Sequence, residues 1–218
     1  MIFTFYAQSK VNSAYNRYAA VRNGKGITGA QAARRILDSN GLQDVPIEIT
    51  NRRLSDHYDP RKKVMRLSPQ VYNDPSIASV SIAAHEAGHA IQHAKGYAPL
   101  GFRNLLAPLV TVVSNLAWPI LFVGLAIIWA GNYFQGNMIF NIGIICYAFA
   151  VLFQAITLPV EFNASRRAIQ QMNELDIIYI EETTGAKKVL SAAALTYVAA
   201  LAASIATLLR ILALRGRQ

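Results

Sequence analysis

Two histidines and a glutamate stand close together in the chain, in the order His85, Glu86, Ala87, Gly88, His89. Histidines four positions apart lie on one face of an α-helix, about 6 Å from each other. Both imidazoles can then reach one zinc ion at roughly 2.0–2.1 Å. A glutamate beside the first histidine can take a proton from a zinc-activated water molecule. The spacing therefore predicts a zinc peptidase, with His85 and His89 as metal ligands and Glu86 as the general base.

The pattern is specific, because random placement of 4 histidines and the glutamates gives only ~0.002 expected matches. The alternative is a surface helix that carries these residues by accident. Small and apolar neighbours argue against it, since they predict a buried helix over residues 75–95, begun by Asp74 and ended at Gly96. His93 lies about 12 Å along the axis from His85. We therefore expect His93 to be a core or outer-sphere histidine, not a ligand.

A third ligand is required, because catalytic zinc usually has three protein ligands and one open position. The motif is followed by five carboxylates. Glu161 stands out among them because it directly follows an apolar stretch, where an unpaired carboxylate is costly. We predict that Glu161 completes the zinc site. The alternative is a charge paired with Arg166 or Arg167.

Apolar stretches indicate a membrane protein: hydrophobic residues make up 53% of the chain and charged residues 15%, and the mean hydropathy is +0.27. We predict membrane helices over residues 105–130, 138–160 and 189–209, each close to the length that crosses ~30 Å of hydrocarbon. A buried helix of a soluble domain is the alternative for the third. The polar residues 131–137 predict a turn between the first two helices, which then form a hairpin.

The predicted fold is mainly α-helical, an integral membrane protein with about three membrane helices and a small α+β zincin-like unit. We expect residues 1–103 to form that unit and residues 104–218 to form the membrane part. Thr28 begins a helix that ends at Gly41. Residues 45–49 and 64–67 predict strands, with a polar loop over 56–60 between them. We expect the strand at 64–68 to align a peptide substrate along its edge.

The net charge is +9, and most basic residues precede or include Arg103. In a membrane protein this excess reflects topology more often than nucleic-acid binding, and it predicts a cytoplasmic catalytic side. Arg215 and Arg217 favour the opposite side. The single cysteine, Cys146, excludes an intramolecular disulfide and a cysteine-rich zinc site. The apolar residues 1–7 are too short to span a membrane, and they would fit the end of a longer helix.

Four segments resemble the YugP-type zinc metallopeptidases, which are bacterial integral-membrane proteins similar to HtpX-type proteases: residues 29–37, 56–60, 84–93 and 158–165. The resemblance covers nearly all of the chain. It implies zinc held by two histidines and a downstream glutamate, here His85, His89 and Glu161, with Glu86 as the base. It also implies a bacterial plasma-membrane protein that cleaves peptides or membrane proteins.

Supporting residues are less well defined by the sequence. An oxyanion donor is expected for peptide hydrolysis, and His57, Tyr58 and Tyr97 are the candidates. The HtpX pattern has an aspartate four residues after its zinc glutamate, where this chain has Ser165. We name Ser165 and His93 as candidates for orienting the ligands.

Two other functions remain open. A membrane zinc sensor or scaffold would keep the site without turnover, and a fourth protein ligand would favour it. A transporter would carry charges within its membrane helices, and the first two predicted helices contain none.

Overall fold

The computed structural model describes residues 2–52 and 55–215; Met1 and Arg217, which entered the predictions above, lie outside them. The described residues form seven α-helices and three short strands. The helices are α1 (Ile2–Ala19), α2 (Gly29–Ser39), α3 (Pro69–Asn73), α4 (Ile77–Ala94), α5 (Ala98–Trp129), α6 (Tyr133–Glu174) and α7 (Thr183–Arg215). The strands are β1 (Ile47–Ile49), β2 (His57–Asp59) and β3 (Val64–Leu67).

The sheet has the order β1-β3-β2, with β1 parallel and β2 antiparallel to β3. Two predictions are corrected by this order. Residues 56–60, predicted as a polar loop, contain β2, whose residues pair with β3 from His57 opposite Arg66 to Asp59 opposite Val64. The strand at 64–68 was expected to offer an edge to substrate, but β3 is the central strand. The edge beside α4 belongs to β2.

Helix α2 begins as the sequence predicts, because Thr28 and Gln31 form a reciprocal capping box. Its apolar face packs against α4, which is buried along almost its whole length. The start of α4 differs from the prediction: Ser76, not Asp74, caps it by accepting a hydrogen bond from the Ser79 N–H. Asp74 instead follows α3 as its C-terminal cap. The predicted end is confirmed, since Gly96 adopts φ +61°.

Three helical segments are long and apolar enough to cross a membrane among the described residues: Ala98–Trp129, Tyr133–Glu174 and Ile180–Arg215. The predicted fold class, a helical membrane protein with a small α+β unit, is confirmed. Helices α5 and α6 form the expected hairpin, but α6 begins at Tyr133, so the turn is shorter than residues 131–137. At 42 residues, α6 is about 63 Å long and extends well beyond a ~30 Å hydrocarbon layer.

Helix α1 packs against α7 and runs antiparallel to it. Tyr18 lies against Gly185, and Tyr15 packs with Val189 further along α7. The predicted division at residue 103 stays a prediction. The main apolar core takes residues from both sides of it, since Met172 and Ile177 are buried with the residues of α2 and α4.

Candidate metal centre

The metal centre forms where α4 and α6 come closest. Gly88 allows this approach, because a Cβ atom at that position would lie 2.6 Å from the Ala164 carbonyl oxygen. Real Cβ atoms do not tolerate such a distance from backbone. The histidines that flank Gly88 in the motif therefore face the part of α6 that begins at Val160. Glu161 lies on that part, about one helical turn before Ala164.

The structure brings His85, His89 and Glu161 together, with one ligand atom of each within 4.8 Å of the others. Glu161 Oε2 lies 3.2 Å from His85 Nε2 and 3.6 Å from His89 Nε2. Ligand atoms about 2.0–2.1 Å from a tetrahedral zinc ion are about 3.3 Å apart. The three side chains therefore fit a single zinc ion, and two nitrogens with one carboxylate oxygen are a donor set that zinc accepts.

Each histidine is held by a hydrogen bond at its other ring nitrogen. His85 Nδ1 lies 3.2 Å from Ser165 Oγ, and His89 Nδ1 lies 3.0 Å from Gln92 Oε1. The Gln92 amide nitrogen donates to the Val160 carbonyl at 2.8 Å, which ties α4 to α6. Such partners fix the orientation of a ligand ring and leave its second nitrogen free for a metal. In both histidines that second nitrogen is Nε2.

Glu161 is also held from a third helix. Arg103, near the start of α5, donates from Nη1 to Glu161 Oε1 at 3.0 Å. The carboxylate is nearly buried, with 4% of its residue surface exposed. Arg103 therefore binds one carboxylate oxygen while the other faces the histidines. The sequence predicted the hairpin that carries these two residues, but not that they pair.

Glu86 lies beside the triad and is bound to the edge strand, since its Oε2 accepts a hydrogen bond from the Tyr58 N–H at 3.0 Å. The pKa of Glu86 is raised to about 7, chiefly by burial and also by the negative charges of Glu161 and Asp56. The nearby His85 and the Tyr58 N–H act in the opposite direction. A carboxyl group with a pKa near neutrality is suited to take up and release a proton.

The other predicted residues lie around the centre and not within it. The Tyr58 hydroxyl and His93 Nδ1 are hydrogen-bonded at 2.9 Å, one turn of α4 beyond His89. His57 is exposed, and its Nδ1 bonds the Ser55 carbonyl at 2.8 Å. Tyr97 caps α5 and lines neither cavity beside the triad. Of the three predicted oxyanion donors, only His57 and Tyr58 border the centre.

Two cavities of about 180 and 320 Å³ open onto the triad. The smaller lies against β2 and α5, and the larger lies between α1, α4 and α7. Five residues line both cavities: Asp56, His85, Glu86, Glu161 and Tyr197. Tyr197 comes from α7 and lines both cavities together with Glu161. Sequence reasoning did not identify Tyr197.

A helical protein with three candidate membrane helices and a His–His–Glu cluster beside a partly buried glutamate has the features of a membrane zinc peptidase. The chain belongs to the family described as "Putative neutral zinc metallopeptidase", whose model matches residues 1–216. It is 48% identical over 207 residues to "Putative membrane protease YugP" of Bacillus subtilis (strain 168), covering 95% of this chain and 89% of that relative. No solved structure matches the chain.

Proposed function

We propose that the protein is a membrane-embedded zinc peptidase that hydrolyses peptide bonds, with His85, His89 and Glu161 as ligands and Glu86 as general base. The observation that carries the proposal is the convergence of three ligand atoms within 4.8 Å, contributed by α4 and α6. Family membership supports zinc as the metal. The fit of the donor distances to tetrahedral coordination supports the same conclusion.

Zinc in this site would polarise the scissile carbonyl and lower the pKa of a water molecule toward ~7. Glu86 takes the proton of the attacking water and delivers it to the leaving amine. The hydrogen bond from the Tyr58 N–H orients the Glu86 carboxylate for both transfers. Burial raises the pKa of Glu161, but His85 and His89 lower it more, so the carboxylate stays ionised, and Arg103 binds the oxygen that does not face the histidines.

Tyr197 is the candidate donor for the oxyanion that develops during hydrolysis. It lines both cavities, as Glu86 and Glu161 do. The Tyr58 hydroxyl is already bonded to His93, and Tyr97 lies away from the cavities. A fixed donor aimed at the developing charge contributes about 10²–10³-fold to the rate in other hydrolases.

The proposed substrate is a peptide segment or a membrane protein, aligned along the free edge of β2. This edge adjoins Glu86, and edge strands recognise extended peptides by adding a strand to the sheet.

We place the protein in a bacterial plasma membrane with the catalytic side in the cytoplasm, because most of the basic residues lie on the side that carries the zinc helix. Labelling of intact cells tests the orientation: a cysteine introduced at exposed Lys62 should resist an impermeant thiol reagent, and rapid labelling would reverse the assignment.

Glu86→Gln tests hydrolysis directly. The variant should retain zinc, because Glu86 is not a ligand, and should lose at least 10²-fold in kcat on a peptide substrate that the wild-type protein cleaves. Glu161→Ala is the matched variant, which should lose zinc as well as activity. A Glu86→Gln protein with the wild-type rate would refute the proposal. A fourth protein ligand in the metal's X-ray absorption spectrum would instead favour a zinc sensor or scaffold.

A further inference from the structure

A groove between α1 and the beginning of α7 is rich in positive charge. It has a volume of about 480 Å³, and no carboxylate lines it. Its lining includes four cations and four residues with hydroxyl groups: Lys10, Arg17, Lys187, Lys188, Ser13, Tyr18, Thr184 and Ser191. We call this the basic groove. Its composition fits a ligand with an anionic, oxygen-rich group.

The cations of the basic groove are available to a ligand. None of the four forms an ion pair with a carboxylate anywhere in residues 2–52 and 55–215. Lys25, by contrast, pairs with Asp176. Lys10 and Arg17 lie over tyrosine rings of their own helix, at 5.4 and 5.6 Å from the ring centroids. Such contacts hold the side chains without neutralising them.

A second groove adjoins the first and lies between α6 and α7. It has a volume of about 380 Å³, and it shares Lys187, Ser191 and Leu195 with the basic groove. Most of its lining is apolar: Phe162, Ile169, Leu190, Ala194, Leu195 and Val198. We call this the apolar groove. Because the two grooves border each other along this stripe of α7, one molecule that is charged at one end and hydrocarbon at the other can contact both.

Both grooves lie where a bilayer would present such a molecule. Lys187 and Lys188 immediately precede the apolar residues 189–209 of α7, and Arg166 lines the apolar groove on the neighbouring helix. Lys and Arg at the end of a membrane helix lie at the level of the lipid headgroups. Headgroup phosphates therefore reach the basic groove, and acyl chains run alongside the apolar one.

We propose that the two grooves together bind one anionic glycerophospholipid. Its phosphate is held by Lys187, Lys188 and the cations of α1, and one acyl chain occupies the apolar groove. Charges that serve only to orient the protein in the membrane need neither a shared cavity nor an apolar continuation. The apolar groove is also lined by Ser165, which bonds the ligand His85. A bound chain therefore contacts the surroundings of the metal centre.

Lipid binding to the full-length protein in detergent tests the proposal. Phosphatidylglycerol and phosphatidylcholine with identical acyl chains are titrated and bound lipid is counted by native mass spectrometry. We expect phosphatidylglycerol to bind at least 10-fold more tightly. The double variant Lys187→Gln/Lys188→Gln should lose roughly fivefold per cation, about 25-fold in all. The control is Arg61→Gln/Lys62→Gln, which removes two adjacent exposed cations of the β2–β3 turn and should bind like wild type.

Two further experiments distinguish binding of the lipid headgroup from binding of the acyl chain. Ser191 is exposed and lines both grooves, so Ser191→Trp should obstruct a molecule that occupies both and abolish tight phosphatidylglycerol binding. Glycerol phosphate should compete weakly, and its binding should fall in the double lysine variant. Equal binding of the two lipids, or an equal loss in the Arg61/Lys62 control, would overturn the proposal. Binding of glycerol phosphate as tight as that of the lipid would show a soluble phosphate site instead.

Discussion

The two halves of α6 are one continuous helix in two different environments. The first half, residues 133–158, packs on the hairpin partner α5 and on the end of α7, and it leaves large side chains such as Phe134 and Ile145 exposed. The second half, residues 160–174, packs on α4 and has fully buried residues, among them Ala168 and Met172. The helical backbone is the same in both. What differs is the packing: the first half leaves large apolar side chains exposed, and the second half contributes buried side chains to the main apolar core.

Polar side chains behave differently in the two halves. In the first half, Asn141 Oδ1 and Gln154 Oε1 are buried without a hydrogen-bond partner among the described residues. In the second half, Glu161, Asn163 and Ser165 are each bonded to another side chain. An unpaired buried carboxylate would cost several kcal/mol. The metal centre therefore lies at the first position along α6 where the fold supplies partners for a charge.

Tyr197→Phe should have the largest effect on kcat, because it removes the candidate oxyanion donor. Apart from this hydroxyl, that part of α7 is apolar, like the first half of α6. We expect kcat to fall by about 10²–10³-fold with zinc content unchanged. The affinity of a phosphonamidate transition-state analogue should fall by the same factor, while KM changes little. Tyr147→Phe, in the hairpin half of α6, is the control. A Tyr197→Phe enzyme with wild-type kcat would exclude the hydroxyl as donor while leaving zinc-dependent hydrolysis intact.

Paired glycine variants test whether the two halves are functionally separate. Gly88→Ala and Gly124→Ala each place a Cβ 2.6 Å from opposing backbone, at Ala164 and Phe140 respectively. Each should destabilise the protein by about 1–3 kcal/mol through overpacking. Only Gly88→Ala separates α4 from α6, so it alone should weaken zinc binding, by about 5–150-fold. Zinc titration with a competing chelator measures this. An equal loss of zinc in Gly124→Ala would show that the hairpin and the centre are coupled.

Much of the fold follows from the sequence because apolar periodicity and capping residues act locally. Such local signals predicted three features that are confirmed: the capping box at Thr28, the end of α4 at Gly96 and the three long apolar helices. The segment 56–60 was wrongly expected to be a loop, because its polar residues give no strand signal. The segment forms β2 because it pairs with β3 and donates a hydrogen bond to Glu86, and both of these are tertiary contacts.

The residues of the metal centre also divide into those that local sequence predicts and those that only tertiary packing brings together. The histidine spacing is local and predicts the ligand pair, and the position of Glu161 after an apolar span predicts the third ligand. Gln92 had a signal, since it lies one turn after His89 on the same face. Tyr197 had almost no signal in the sequence, because it is a single tyrosine in an alanine-rich span. Only the packing of α7 against α4 and α1 places it beside Glu86.

Variants of Arg103 test whether the metal centre depends on a charged partner for the Glu161 carboxylate. Arg103→Gln keeps a donor but removes the positive charge beside Glu161, so zinc affinity should fall by about 10–100-fold, as expected for the loss of an outer partner of a ligand. Arg103→Lys restores the charge without the planar geometry and should recover part of the affinity. Chelator competition measures both. If both variants bind zinc like wild type, the pair serves helix packing only, and the carboxylate is held by the histidines and the metal.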